Sequence, residues 1–109
     1  MPLISIALAM RNSAASIDAT LRSLTLQTLQ DWELLIFDDG SSDDSVERAR
    51  RHDDPRIRLF SDNAHRGLAA RLNQAIDAAR GRVYARMDAD DVAYPERLER
   101  QLAYLDAHP

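Results

Sequence analysis

The chain has 109 residues, which is enough for one globular domain and too short for two ordinary domains. Its hydrophobic fraction of 45% is typical of a domain with a single core. It contains no cysteine, and its 14 basic residues are all arginine, so thiolate metal sites, cysteine nucleophiles and mechanisms that need a lysine are excluded within these residues. The 18 acidic residues and the net charge of -4 argue against a nucleic-acid partner.

The first part of the chain predicts a strand, a helix and a second strand. Residues 3–9 form an apolar run of strand length. A helix is predicted next, because apolar side chains recur at spacings of four and three, at Ile17, Leu21 and Leu24. Residues 32–37 have the length and apolar continuity of a strand buried on both faces, and they stop at the loop sequence DDGSSDD, residues 38–44.

The rest of the chain continues the alternation. An exposed helix, capped by Ser42 or Asp43, is predicted before Pro55, and a strand is predicted at residues 57–60. Gly67 opens a third helix that ends at Gly81. One face of that helix carries Leu68, Leu72, Ile76 and Ala79. A fourth strand is predicted at residues 83–87, followed by a helix whose first residue is Pro95 and which carries Leu98, Leu102 and Leu105.

This alternation predicts an α/β fold in which helices cover both faces of a mostly parallel sheet. Such sheets bind ligands at the carboxyl ends of their strands, where the strand order reverses. The polar residues that follow predicted strands are Asn12, Asp38, Asp39 and Asp88 to Asp91. We therefore expect these side chains to converge at one edge of the sheet.

The segment DADDV, residues 88–92, is a candidate metal site. Three carboxylates this close repel one another unless solvent or a cation takes up their charge, so the segment is either a solvated acidic loop or a site for Mg²⁺ or Mn²⁺. An EF-hand loop is disfavoured, because Val92 and Ala93 stand where an oxygen ligand and a glycine are needed. A dehalogenase-type phosphatase would match Asp88, Asp90 and Val92. That family also needs a downstream lysine, and this chain has no lysine.

Other polar positions have both a structural and a ligand-binding interpretation. Gly40 to Asp44 fit a strand-to-helix turn, whereas Asp39 precedes the turn and can accept an N–H group of a nucleoside. Arg71 is either an exposed helix residue or a partner for a diphosphate, Asp38 or Asp39. The histidines show no metal-ligand spacing, and His65 is the one placed near the expected ligand edge.

Four segments in this order and spacing closely resemble the nucleotide-binding half of family 2 glycosyltransferases: ISIALAMRN, SLTLQTLQDWELLIFDDGSSDDS, NAHRGLAARLNQAI and ARMDADDVAYPERLERQLAYLDAHP. The resemblance covers essentially the whole chain. It implies a Rossmann-like GT-A fold that binds a nucleotide diphosphate sugar and a divalent metal, Mg²⁺ or Mn²⁺. It also implies that residues 1–109 are the N-terminal half, with the acceptor-binding half absent before Pro109.

The resemblance also assigns roles to single residues. It implies that Asp39 contacts the base, that Asp88 lies near the ribose or diphosphate, and that Asp90 ligates the metal. Ala9 stands where the family usually has proline, and Arg71 stands where a small residue is commoner. The complete set of implied nucleotide contacts is Ala9, Arg11, Asp38, Asp39, Arg71 and Asp88. No residue matches the family's general base, so no catalytic residue is assigned.

The implied reaction is inverting transfer of a sugar from the nucleotide donor to a hydroxyl of a glycan, lipid or other acceptor. We expect the 109-residue chain alone to transfer sugar poorly or not at all, and to self-associate if it exposes apolar surface. Residues 1–12 predict neither a signal peptide nor a spanning helix, so a cytoplasmic location is expected, with attachment to the membrane periphery left open. Two alternatives remain: a dehalogenase-type phosphatase and a non-catalytic nucleotide-binding module.

Overall fold

The computed structural model describes residues 2–108, in which four strands alternate with four helices. The strands are β1 (Ile4–Met10), β2 (Trp32–Asp38), β3 (Ile57–Ser61) and β4 (Val83–Arg86). The helices are α1 (Ile17–Thr25), α2 (Ser45–Arg50), α3 (Leu68–Ala78) and α4 (Arg97–Ala107). Every predicted element is present, with boundaries that shift by a few residues. None of the helices in this part of the chain is long and apolar enough to cross a membrane.

The strands form one parallel sheet in the order β3-β2-β1-β4. β1 pairs with β2 from Ile4 opposite Trp32 to Met10 opposite Asp38. β4 pairs with the other side of β1, so the direction in which strands are added reverses there. The predicted parallel α/β sheet is confirmed, and its reversal point is the place where such sheets bind ligands.

One face of the sheet carries the larger part of the core. Its sheet residues include Ile6, Leu8, Leu34 and Ile36, and its helix residues include Ile17, Leu21, Leu24, Ala49 and Leu98. Helices α1, α2 and α4 therefore cover this face. The predicted apolar stripe of α1 is fully buried, and each such Leu or Ile contributes about 1.5–3 kcal/mol of burial free energy. All seven residues of β2 are buried, as predicted for a central strand.

The opposite face is covered by α3. The side of α3 that faces the sheet is not the side that carries its large apolar residues. Leu68 and Ile76 are 49% and 50% exposed, whereas Arg71 and Ala75 are buried. The small side chains of Ala75 and its neighbours pack beside the rings of Phe37 and Phe60, which stack 4.4 Å apart. The packing against these rings and the ion pairs of Arg71 determine which side of α3 is buried. The spacing of apolar residues in the sequence does not predict either contact.

Two helix starts also differ from their predictions. The N-cap of α2 is Asp44 rather than Ser42 or Asp43, and α2 is partly covered because Ser45 and Ala49 are buried. Helix α4 begins at Arg97 instead of Pro95. The carbonyl of Pro95 accepts the N–H of Thr28 at 2.8 Å, so the segment before α4 is bonded to the loop that follows α1.

Candidate functional site

The ends of β1 and β2 bring two polar loops together at the carboxyl edge of the sheet. The N–H of Asp39 donates to the carbonyl of Met10 at 2.7 Å, which extends the pairing of the two strands by one residue. The side-chain carbonyl of Asn12 accepts the N–H of Ser42 at 2.7 Å, and the N–H of Asn12 donates to Ser41 Oγ at 2.9 Å. These bonds hold Asn12 at a φ of 50°, a conformation that asparagine tolerates better than most residues.

A cavity of about 200 Å³ lies between the end of β1, the end of β2 and the start of α3. Its lining residues are Ala9, Met10, Arg11, Asp39 and Leu68. Three of them, Ala9, Arg11 and Asp39, belong to the nucleotide contacts implied by the family resemblance. Leu68 supplies a half-exposed apolar wall, while Arg11 and Asp39 supply one charge of each sign. An apolar wall with a few polar groups is typical of a small-molecule site.

Asp39 is the buried anion of this cavity. It is 5% exposed, and its carboxylate accepts the backbone N–H groups of Arg66 at 2.7 Å and Gly67 at 3.1 Å. Arg71 Nε donates to it at 2.9 Å, and His65 Nδ1 lies 2.7 Å from its Oδ2. Burial raises the pKa of Asp39, but the hydrogen bonds from the two backbone N–H groups and the guanidinium outweigh burial and lower the pKa to about 2. The carboxylate is therefore ionised at neutral pH.

Arg71 joins Asp39 to a second carboxylate, that of Asp62. Its side chain is 2% exposed, and Nη2 donates to Asp62 Oδ1 at 2.7 Å and to the carbonyl of Ala64. Nη1 donates to Gln74 Oε1 at 3.0 Å and to Asp62 Oδ2 at 3.3 Å, so all five N–H groups of the guanidinium have acceptors. The Arg71 hydrogen bond holds the pKa of Asp62 well below its usual range. The predicted pairing of Arg71 with Asp39 is confirmed. The contact of Arg71 with a nucleotide stays a prediction, and it would require the nucleotide to replace one of these acceptors.

Asp38 stabilises the turn that follows β2. Its side chain is buried, and it accepts the N–H of Ser41 at 3.1 Å and the hydroxyl of Ser41 at 2.5 Å. Gly40 in the same turn has a φ of 76°, and a Cβ there would lie 3.2 Å from the backbone of Ala64. The turn therefore packs directly against the loop that carries His65, and Asp38 stabilises the site indirectly by fixing this turn.

The acidic loop after β4 offers three carboxylates together. One oxygen from each of Asp88, Asp90 and Asp91 lies within 4.8 Å of the others, and the first two residues are exposed. Asp91 accepts the N–H of Asp88 at 3.0 Å, which closes the loop into a turn, and Arg86 lies 3.3 Å from Asp88. Carboxylate oxygens are the donors that Mg²⁺ and Mn²⁺ prefer, so these residues fit such an ion.

A polar stripe on α1 and its flanking residues holds this loop in place. The stripe consists of Ser16, Thr20, Ser23 and Gln27, at spacings of four, three and four. Ser16 and Thr20 both donate to the carbonyl of Ala89, at 2.9 and 3.0 Å. Because Ala89 is itself buried, these bonds fix the backbone between the two exposed acids, Asp88 and Asp90. This stripe was not predicted from the sequence, although its spacing repeats that of the apolar stripe beside it.

Comparison with known proteins gives a consistent result. A family model described as "Glycosyl transferase family 2" matches residues 5–109. A putative glycosyltransferase of Bacillus subtilis, EpsE, is 34% identical over 98% of this chain and 40% of its own length. An Escherichia coli protein described as UDP-Glc:alpha-D-GlcNAc-diphosphoundecaprenol beta-1,3-glucosyltransferase WfgD is 35% identical over 94% of this chain and 41% of its own length. The chain thus spans about two fifths of these two relatives.

Solved structures match the fold closely. Residues 1–349 of Staphylococcus aureus TarS in complex with UDP superpose with a TM-score of 0.89 at 24% identity, covering 97% of this chain and 32% of that chain. The mannosyltransferase PcManGT from Pyrobaculum calidifontis, in complex with GDP-Man and Mn²⁺, gives 0.76 at 27% identity, covering 82% of this chain and 28% of that chain. The predicted GT-A fold is confirmed.

Proposed function

The chain belongs to glycosyl transferase family 2, and we propose that it forms the donor-binding half of an enzyme that transfers a sugar from a nucleotide diphosphate sugar to an acceptor hydroxyl. The cavity at the carboxyl ends of β1 and β2 carries this proposal, because Ala9, Arg11 and Asp39 line it together. The family membership favours this function over the phosphatase alternative. The chain spans about 40% of its EpsE relative, which agrees with a larger enzyme that contributes the acceptor side.

In this proposal the cavity holds the nucleoside. Asp39 accepts an N–H of the base, since its carboxylate is ionised and lies at the cavity wall. Leu68 offers an apolar surface to the base, and Ala9 and Arg11 bound the cavity on the β1 side. Asp38 acts indirectly by fixing the turn after β2. TarS with UDP and PcManGT with GDP-Man support a nucleotide-linked donor as the ligand class.

The acidic loop is proposed to bind the metal. Asp90 would ligate Mg²⁺ or Mn²⁺, and Asp88 would lie near the ribose or diphosphate, while Asp91 closes the loop. When bound, the cation would neutralise charge on the departing nucleoside diphosphate. The two acids that take part are exposed, and the bonds from Ser16 and Thr20 to Ala89 keep the backbone between them in place.

The transfer step also needs an acceptor hydroxyl and a general base. An acceptor hydroxyl attacks the sugar from the side opposite the leaving group, with a base placed to take its proton. We assign no residue of this chain to that role. The chain alone is therefore expected to bind the donor and to transfer its sugar poorly, and a glycan, lipid or other hydroxyl acceptor would bind to the remainder of the enzyme.

Calorimetric titration tests the donor and metal roles together. UDP, GDP and dTDP are titrated into the chain with and without Mn²⁺, and the D90N variant is compared with D106N, which neutralises an exposed acid of α4. We expect at least one nucleotide to bind, more tightly with Mn²⁺ in the wild type and D106N but not in D90N. Binding that ignores both the metal and D90N would refute the metal role, and failure to bind any of the three nucleotides would refute the donor-binding role.

A further inference from the structure

Four nitrogen groups surround the carboxylate of Asp39. A carboxylate offers about four lone-pair positions, two on each oxygen. Oδ1 receives the N–H of Arg66 at 2.7 Å and Arg71 Nε at 2.9 Å. Oδ2 lies 2.7 Å from His65 Nδ1, and the N–H of Gly67 is shared between both oxygens at 3.1 and 3.2 Å. A base N–H that is to bind Asp39 must therefore replace one of these four groups.

The four groups differ in how readily they can leave. The N–H groups of Arg66 and Gly67 belong to the backbone at the start of α3, so displacing them would move the helix end. Arg71 is 2% exposed and is tied to Asp62 as well. The His65 side chain, by contrast, is 57% exposed and can rotate into solvent without moving the backbone. His65 is the group that can be exchanged most easily.

We infer that His65 occupies the base-binding acceptor of Asp39 and that the nucleotide displaces it, so that this side chain sets nucleotide affinity. The inference rests on the proposed contact between Asp39 and the base. The incoming group is the imino N–H of a base such as uracil or guanine, which takes the Oδ2 position that His65 Nδ1 leaves. Because the His65 side chain is 57% exposed, its contact with Asp39 is weakened by solvent, and His65 competes with the ligand without blocking it.

Removal of the imidazole tests the inference by a gain in affinity, which damage to the fold would not produce. UDP and GDP are titrated calorimetrically, in the presence of Mn²⁺, into the wild type and H65A. We expect the nucleotide that the wild type binds to bind H65A about two- to fivefold more tightly, as the strength of an exposed pair allows. H52A is the matched control, because His52 Nε2 lies 2.8 Å from a different carboxylate, that of Asp18, and neither residue lines the cavity. Its affinity should equal that of the wild type.

The D39N variant separates failure of this inference from failure of the proposed site. We expect D39N to weaken nucleotide binding more than tenfold, and H65A to bring no gain in the D39N background. Equal or weaker binding by H65A, while D39N still weakens binding, would overturn the role of His65 and leave the Asp39 contact standing. Wild-type affinity in D39N would overturn the Asp39 contact and the inference with it. Thermal denaturation of each variant confirms that the compared proteins are folded.

Discussion

Replacing Gln27 with methionine tests whether the polar stripe on α1 holds the segment between the acidic loop and α4. Gln27 is 2% exposed, and its Nε2 donates to the carbonyl of Tyr94 at 2.7 Å. Its Oε1 accepts the N–H of Leu98 at 3.1 Å, which is one of the first N–H groups of α4 and has no acceptor within the helix. Methionine has a similar length but makes neither bond, so Q27M removes the link with little change in packing volume.

The expected loss follows from the one group left without a partner. A buried donor or acceptor without a partner costs about 1–3 kcal/mol, and the substitution strands the Leu98 N–H, whereas the Tyr94 carbonyl keeps the N–H of Arg97 at 3.1 Å. The lost bond to Tyr94 adds to this cost and the apolar methionine side chain recovers part of it, so we expect Q27M to lower the free energy of unfolding by about 1–3 kcal/mol. That is a large share of the roughly 5–15 kcal/mol that stabilises a typical domain.

Urea unfolding followed by tryptophan fluorescence measures this loss. Trp32 is the single tryptophan and is 1% exposed, so its emission reports loss of the core. With a denaturant slope of about 2 kcal/mol/M, the midpoint for Q27M should fall by about 0.5–1.5 M. The control is Q101M, the same change at an exposed position of α4, which should alter the unfolding free energy by less than about 0.5 kcal/mol. If Q27M behaved like Q101M, the idea that the stripe anchors this segment would be refuted.

Two further predictions concern the loops around Asp39. G40A should lose about 1–3 kcal/mol of stability in the same assay, because alanine is strained at a φ of 76° and its Cβ would lie 3.2 Å from the Ala64 backbone. G67A should also lose stability, because Gly67 has a φ of 96° and a ψ of 160°, a region essentially confined to glycine, although no atom beyond its chain neighbours lies within 4 Å of the added Cβ. A G67A variant as stable as the wild type would contradict the argument from backbone strain. Folding lowers the pKa of Asp39 from 3.8 to about 2, so its stabilising contribution is complete above 3.8 and disappears as the pH falls towards 2. The difference in unfolding free energy between wild type and D39N should therefore shrink across that interval, and a difference independent of pH would argue against the lowered pKa.

Several features of the fold could be read from the sequence because they depend on neighbouring residues. The apolar run of β2 and the stripe of Ile17, Leu21 and Leu24 predicted their elements and their burial, and both are buried as expected. The alternation of strands and helices predicted a parallel sheet, and parallel strands end at a common edge. That rule predicts that the aspartates that follow β2 and β4 lie at the ligand edge.

The partners of those residues depend on distant parts of the chain. The sequence suggested a pairing of Arg71 with Asp38 or Asp39, and only the structure shows it buried between Asp39 and Asp62. The buried side of α3 depends on Phe37 and Phe60, which belong to two other elements. His65 has no spacing signal that predicts a contact with Asp39, yet its ring lies 2.7 Å from that carboxylate. Local periodicity and strand order thus determined which elements form and where the site lies, whereas pairing between residues far apart in the chain decided which groups hold its carboxylates.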